Sequence, residues 1–204
     1  MPSYKTFGLS LAALFLSACA PLYQKLYVPD DPGLAWQDRQ AQLRQLTNWH
    51  IIGRASIAQD KKAWNARVNW HENTGVYRIK MIGPFSQGGF HLDGTPEQVI
   101  LTLSDGQTTR SSSPEALLNK TFNLNLPITA LRDWLKGLPY AGGAPYENIE
   151  IDNHGRLKYL EQLRWKIYYQ QYKRYGQQQL PSKLFMSHPE LKVRLVVDNW
   201  KYEQ

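Results

Sequence analysis

The stretch that decides the fold is WHIIGRASIAQDKKAWNARVNWHENTGVYRIKM, residues 49–81, in which the hydrophobic pattern has a period of two. Apolar residues alternate with polar or small ones in three successive runs, which are Trp49, Ile51, Ala55 and Ile57, then Trp64, Ala66, Val68 and Trp70, then Tyr77, Ile79 and Met81. Turn-forming segments separate these runs at residues 59–61 and 73–75. The pattern predicts consecutive antiparallel strands that share one apolar face.

Outward from this segment, the same alternation continues to the end of the chain. Further strands are predicted near residues 90–92, 99–103, 108–112, 146–152, 157–160, 163–171, 183–187 and 191–200, with hairpin turns at Asp93-Gly94 and Asp105-Gly106. Three short helices are predicted at residues 36–48, at 115–120 after a Ser113 cap, and at about 128–136. The sequence therefore predicts a mainly β, α+β domain over residues 36–204, with about eleven strands in a strongly curved sheet or barrel.

Composition restricts the class of protein. The chain has 204 residues, a formal net charge of +7 and a single cysteine. One cysteine excludes an internal disulfide framework and a cysteine-cluster metal site. The basic balance allows nucleic acid, an anionic membrane or an acidic protein as partner, and does not choose among them.

The N-terminus has the features of an export signal. Lys5 precedes the uncharged, mostly apolar run of residues 7–18, which is too short to span a bilayer. The run ends in Leu16-Ser17-Ala18-Cys19, which resembles the lipobox of bacterial lipoproteins. The resemblance implies a signal peptide at residues 1–18, cleavage before Cys19 and acylation of Cys19; the alternative is an ordinary signal peptide with a chance cysteine. Ala20 after the cysteine suggests the outer membrane, and residues 19–35, with their prolines, are predicted to form the lipidated N-terminus and a tether.

Motifs for catalysis or cofactor binding do not occur in the sequence. It contains no Gly-x-Gly-x-x-Gly, no phosphate-binding P-loop and no His-Glu-x-x-His, and its five histidines lack metal-ligand spacing. His71-Glu72 at a strand end is interpreted as a solvated turn edge rather than an acid–base pair. Basic and aromatic residues interleave over residues 164–174, but an exported protein meets little nucleic acid. We therefore expect a protein that is not an enzyme, with no cofactor, no metal and no nucleic-acid partner.

Several segments carry a family resemblance over essentially the whole chain. They include Gly53-Arg54-Ala55, Gly83-Pro84-Phe85, Trp165-Lys166-Ile167-Tyr168-Tyr169 and, as the most specific piece, Leu131-Arg132-Asp133-Trp134-Leu135-Lys136-Gly137-Leu138-Pro139. Together with the lipobox, these segments resemble the LolB family of outer-membrane lipoprotein receptors in Gram-negative bacteria. The resemblance implies an unclosed antiparallel barrel with helices covering an apolar cavity. It also implies that a monomer, anchored through Cys19 on the periplasmic side of the outer membrane, accepts acylated lipoproteins from the carrier LolA and inserts them among the phospholipids of that membrane.

The resemblance also gives candidate site residues. The candidate cavity residues are Trp49, Ile51, Trp64, Val68, Trp70, Ile79, Met81, Leu101, Leu103, Leu131, Trp134, Leu135, Trp165, Ile167, Val193, Leu195 and Val197. The helix that carries Leu131, Trp134 and Leu135 is expected to act as a lid, hinged at Gly137 and at Gly142-Gly143. The alternative is that these side chains simply pack a solid core.

The loop of residues 83–89 carries a sharper hypothesis. In the family this loop exposes a large apolar residue, usually leucine, that is needed for delivery into the membrane; here Phe85 follows Pro84 at that position. The alternative is an aromatic residue folded back onto the core. A second hypothesis concerns the positive charge: basic residues around the cavity mouth could attract an acidic carrier or anionic head groups, or could simply form a solvated surface.

Two other functions remain open from the sequence. A generic lipid- or glycolipid-binding outer-membrane lipoprotein would share the fold and the anchor and differ in cargo. An anchored cell-wall hydrolase would need two convergent carboxylates, and the few acidic residues lie mostly in turns.

Overall fold

The computed structural model describes residues 31–83 and 88–202, so that Cys19, most of the predicted tether, Pro84 and Phe85 lie outside the described residues. The helices are α1 (Pro32–Arg44), α2 (Pro114–Phe122) and α3 (Ile128–Trp134). The strands are β1 (Asn48–Gln59), β2 (Lys62–Asn73), β3 (Val76–Ile82), β4 (Gly89–Gly94), β5 (Val99–Leu103), β6 (Thr108–Ser111), β7 (Tyr146–Ile151), β8 (Leu157–Gln162), β9 (Trp165–Tyr175), β10 (Gln178–His188) and β11 (Leu191–Tyr202).

All eleven strands belong to one antiparallel sheet in the order β6-β5-β4-β3-β2-β1-β11-β10-β9-β8-β7. The first and last strands of the chain pair with each other in the middle of this sheet. The two edges are β6 and β7, which the chain joins through α2 and α3 rather than by pairing within the described residues. The predicted unclosed antiparallel barrel with short helices is therefore confirmed.

One face of the sheet forms the core. Odd-numbered positions of β1 are mostly buried, and even-numbered positions of β2 are buried or half-buried from Trp64 onward, as the period of two predicts. Trp49 packs against Trp70 and Trp200, with ring centroids 5.6 and 5.4 Å apart. From the other side, α2 and α3 bury Leu117, Leu118, Leu131 and Trp134 against this inner face.

Two glycines allow close approaches that shape the sheet. Between Ile52 and Gly53 the register with β11 shifts by one residue, and a Cβ on Gly53 would lie 2.4 Å from the Val196 carbonyl oxygen. Such a bulge bends a strand and increases its twist. Gly94 makes room for the Tyr77 ring, because a Cβ there would lie 2.1 Å from Tyr77 Cζ.

Several predicted boundaries are wrong, and three of them have a clear physical cause. Helix α1 begins at Pro32 because Asp31 caps it, accepting hydrogen bonds from the backbone N–H groups of Gly33 and Leu34, so residues 32–35 of the expected tether are helical. Asp93-Gly94 is not a turn: both residues belong to β4, and the turn falls at residues 95–98, where Thr95 N donates to the Gln98 carbonyl. Strand β9 begins at Trp165, because Leu163 and Arg164 have the positive φ values of a tight turn.

Candidate functional site

The concave face of the sheet brings the predicted cavity residues together. The sheet candidates Trp49, Ile51, Val68, Trp70, Ile79, Met81, Leu101, Trp165, Ile167, Val193, Leu195 and Val197 are buried, and Trp64 and Leu103 are half-buried against the same cluster. Leu131, Trp134 and Leu135 of α3 are buried opposite them. These seventeen side chains therefore occupy one continuous apolar interior. That they hold acyl chains stays a prediction.

The interior between α3 and the sheet is almost filled. The gap there has a volume of about 40 Å³ and is bounded by Ile51, Ala55, Ile57, Val68, Trp70, Ile79, Met81, Leu126, Ile128, Leu131, Leu135, Met186, Val193 and Leu195. A gap of this volume has room for only a few water molecules. With α3 in this position, the predicted cavity is closed.

A much larger apolar opening lies at one end of the same face. Its volume is about 540 Å³, and its main apolar walls are Ile57, Trp64, Met81, Phe90, Leu103, Phe122 and Leu124. Phe90 of β4 and Phe122 of α2 face each other across it, with ring centroids 4.9 Å apart. Helix α2 and the segment that follows it therefore form one wall of this opening, and the sheet forms the other.

The opening contains residues that the sequence analysis missed. Phe90, Phe122 and Leu124 are not among the candidates, and neither is Leu126, which bounds the gap beneath α3. Yet Asn-Leu-Asn-Leu at residues 123–126 alternates as an extended segment does. This alternation could have placed Leu124 and Leu126 on one inward side. The rim also holds the two ends of the 84–87 segment: Gly83 N donates to the Gly88 carbonyl at 3.1 Å, and both glycines line the opening.

At the opposite end of the concave face, a buried ion pair lies beneath α3. Glu72 has 4% of its side chain exposed and accepts two hydrogen bonds from Arg132, of which the Nε–Oε2 bond is 3.0 Å long. Burial raises the pKa of Glu72, and the Arg132 guanidinium acts in the opposite direction. The interpretation of His71-Glu72 as a solvated turn edge is therefore wrong for Glu72, because its side chain points into the interior.

The C-terminal end of α3 is fastened to the sheet by Gln162. This buried amide of β8 accepts hydrogen bonds from Trp134 Nε1 at 3.0 Å and from Tyr140 N at 2.8 Å. Its own N–H groups donate to the carbonyls of Tyr140 and Ala144. The loop that contains Gly142-Gly143, expected as a hinge, is thus held on both sides of the glycines.

Positive charge collects on the outer face rather than in the opening. Within β1, β2, β3 and β11, seven exposed basic residues point outward, namely Arg54, Arg67, Arg78, Lys80, Lys192, Arg194 and Lys201. His50 stacks on His71 among them at 3.6 Å, and burial and the neighbouring His71 lower the pKa of His50. In the described lining of the opening, the charged residue is Asp105.

Residues 31–83 and 88–202 contain neither a metal-binding cluster nor a membrane-spanning helix. No cluster of three or more histidine, cysteine, aspartate or glutamate side chains in these ranges could hold a metal ion. None of the helices in these ranges has the length and apolar character needed to cross a membrane.

The fold class has solved representatives. A LolA superfamily protein from Nitrosomonas europaea matches with a TM-score of 0.56 at 10% sequence identity, over 83% of this chain and 94% of that one. A DUF1329 family protein from Desulfovibrio piger matches with a TM-score of 0.52 at 10% identity, over 85% and 94% of the two chains. The unclosed sheet with helices on its concave face is therefore similar in fold to these two proteins.

Sequence comparison narrows this class to one family. Residues 47–200 match the family model described as Outer membrane lipoprotein LolB. The chain is 36% identical over 191 residues to the outer-membrane lipoprotein LolB of Nitrosococcus oceani, with 94% of each chain covered. It is 34% identical over 190 residues to the protein of the same name from Alkalilimnicola ehrlichii, with 93% of each covered. The chain belongs to the LolB family and is an outer-membrane lipoprotein.

Proposed function

We propose that this protein receives acylated lipoproteins from a LolA-type periplasmic carrier and inserts them into the outer membrane. The observation that supports this proposal best is the apolar opening of about 540 Å³, which leads onto the buried concave face beneath α3. A triacyl anchor has about forty methylenes, and each contributes about 0.8 kcal/mol to burial, so transit through water would cost tens of kcal/mol. Direct transfer from one apolar surface to another avoids this cost.

Acceptance of acyl chains requires α2 and the segment after it to move. The gap beneath α3 is too small for an acyl chain, while the C-terminal end of α3 is fastened by Gln162 and by Arg132. At the mouth the polar contacts are fewer and exposed, such as Gln59 Nε2 donating to the Asn123 carbonyl at 2.9 Å. We propose that the helical cover formed by α2 and α3 opens at Phe122–Ile128. The C-terminal end of α3 stays attached to Gln162.

A cross-linking experiment tests the cargo site. A photoreactive residue in place of Leu124 should capture the acylated lipoprotein released from its carrier, because Leu124 lines the opening. The same residue in place of Tyr159, in the β8 row that packs on Tyr168 away from the opening, is the matched control and should capture none. Equal capture at the two positions, or capture of a non-acylated cargo at Leu124, would contradict the proposal; capture of a free lipid in preference to lipoprotein would favour a generic lipid carrier.

Delivery into the membrane is proposed to depend on Phe85. Phe85→Glu should leave folding and cargo uptake intact and abolish transfer of a labelled lipoprotein to liposomes, because a carboxylate at this position cannot enter the apolar side of the membrane interface. Phe85→Leu, the conservative control, should retain delivery. Normal delivery by a folded Phe85→Glu protein would show that the loop has another role.

The proposed function is not catalytic. Glu72, the buried carboxylate of the concave face, is neutralised by Arg132 instead of facing a second carboxylate. This arrangement gives no support to the hydrolase alternative, which needs two convergent carboxyl groups.

A further inference from the structure

The outer face of the sheet has a groove lined by three arginines. Its volume is about 820 Å³, and its lining includes Arg54, Arg67, Ile82, Gly83, Arg194 and Val196. In the sheet register, Val196, Arg54, Arg67 and Ile82 follow one another across β11, β1, β2 and β3. Arg194 lies opposite Ser56, which in turn lies opposite Asn65, in the next outward row.

The charges in this groove are only partly compensated. Arg54 forms a two-bond ion pair with Asp198, at 2.8 Å and 3.1 Å. Arg67 faces Arg54 directly across the β1–β2 pair, where like charges are unfavourable. Neither Arg67 nor Arg194 makes an ion pair with any carboxylate of the described residues. Two exposed guanidinium groups therefore point into a groove with no counter-charge of their own.

We propose that this groove binds the phosphate groups of anionic phospholipids, so that the outer face of the sheet rests against the membrane. Guanidinium groups bind phosphate oxygens through paired N–H donors. The half-buried Ile82 and Val196 supply apolar surface beside these donors, which suits the first methylenes of the lipid's acyl chains. The other outward cations named above, Lys80 and Lys201 among them, extend the positive surface over four strands. This suits an extended anionic surface.

The position of the groove favours the membrane over an acidic carrier. Gly83 lines both the outer groove and the apolar opening, so a phospholipid bound at the groove lies next to the rim through which cargo is proposed to leave. A carrier that presents acyl chains to the opening approaches the concave side, whereas Arg67 and Arg194 lie on the convex side. This functional link rests on the proposed delivery role, while phospholipid binding itself is measured independently of cargo.

The test uses the lipidated protein anchored in vesicles. Acylation occupies the sulfur of Cys19, the single cysteine, so Ser56→Cys introduces one free thiol inside the groove for a fluorescent label. Vesicles of phosphatidylcholine, alone or mixed with phosphatidylglycerol, carry a quencher on their head groups. The quenched fraction of the label then reports how often the outer face touches the lipid surface.

We expect strong quenching only with phosphatidylglycerol, and a loss of about 25-fold in the contact equilibrium constant for Arg67→Gln/Arg194→Gln, since each basic residue at an anionic surface contributes about fivefold. Added salt should weaken the contact in the same direction. The control, Lys61→Gln/Lys120→Gln, removes the same charge from a turn and from α2, and should leave quenching unchanged.

Three results would overturn the proposal. Equal quenching with and without phosphatidylglycerol would exclude anionic recognition, and equal losses in the two double variants would show that only net charge matters. Normal quenching of Arg67→Gln/Arg194→Gln together with weaker association with the carrier would assign the groove to the carrier. Cross-linking at Leu124 is a separate measurement. A failure of cargo uptake with intact quenching would therefore contradict the proposed function but not the proposal that the groove binds phospholipid.

Discussion

At the scale of single residues, the Glu72–Arg132 ion pair is the interior interaction whose loss we expect to cost the most free energy of unfolding. Glu72 is nearly inaccessible, whereas 29% of the Arg132 side chain reaches solvent. Arg132 also lies over the Tyr77 ring, 5.4 Å from its centroid. A buried carboxylate without its partner is far more costly than the intact pair. The pair therefore fixes where α3 sits on β2.

Removal of Arg132 should destabilise the protein strongly. We expect Arg132→Gln to lower the free energy of unfolding by about 3 kcal/mol at neutral pH, because it leaves the Glu72 carboxylate buried and unpaired. Arg78→Gln is the matched control, since its ion pair with Asp93 is largely exposed, and should cost less than about 1 kcal/mol. Urea unfolding of the two variants measures both values.

The pH dependence of the Arg132→Gln variant follows from the same group. Burial already raises the pKa of Glu72, and loss of Arg132 raises it further. A raised pKa in the folded state contributes stability below the ordinary pKa of the carboxyl group and loses it as pH rises through the folded value. The deficit of the variant should therefore shrink as the pH falls. A deficit that is constant with pH would show that the lost packing of Arg132, not the carboxylate charge, causes it.

At the scale of elements, the end of α3 depends on one amide. Gln162→Leu should lower the free energy of unfolding by about 2 kcal/mol or more, because it leaves the buried Trp134 indole N–H and the N–H of Tyr140 without an acceptor. Amide hydrogen exchange in residues 140–144 should become faster. Gln170→Leu, on the exposed side of β9, is the control and should change neither measurement. Unchanged exchange in Gln162→Leu would mean that the loop is held by other contacts.

Period-two patterning predicted the number of the strands, because alternation of apolar and polar residues depends only on each strand's own sequence. The short turns between the strands predicted their antiparallel direction. The errors arise where tertiary contacts override local preference. Asp93-Gly94 has the composition of a hairpin turn, yet the Tyr77 ring occupies the space beside Gly94 and keeps it in β4. Glu72 directly precedes the turn at residues 73–75 in sequence, but its partner Arg132 lies sixty residues away. The outer groove escaped prediction for the same reason: Arg54, Arg67 and Arg194 meet only through strand register.

At the scale of the whole molecule, the two faces of the sheet have opposite chemistry. The concave face is apolar and ends in the opening of about 540 Å³, whereas the convex face of the central strands carries seven cations against the exposed carboxylate of Asp198. One thin sheet therefore separates the proposed cargo site from the proposed phospholipid site. A cargo chain leaving the opening has only to pass the rim at Gly83 to reach the membrane-facing side.

The pairing of β1 with β11 has a consequence for how each newly made molecule folds. Residues 49–59 find their partners at residues 191–202, so the central ladder of the sheet cannot close until the last strand has crossed the inner membrane and reached the periplasm. Until then β1 can pair on one side only, with β2, and β10 presents an open edge, which invites association with other chains. Such long-range closure is slow. The newly exported chain therefore exposes these strand edges until its last strand arrives.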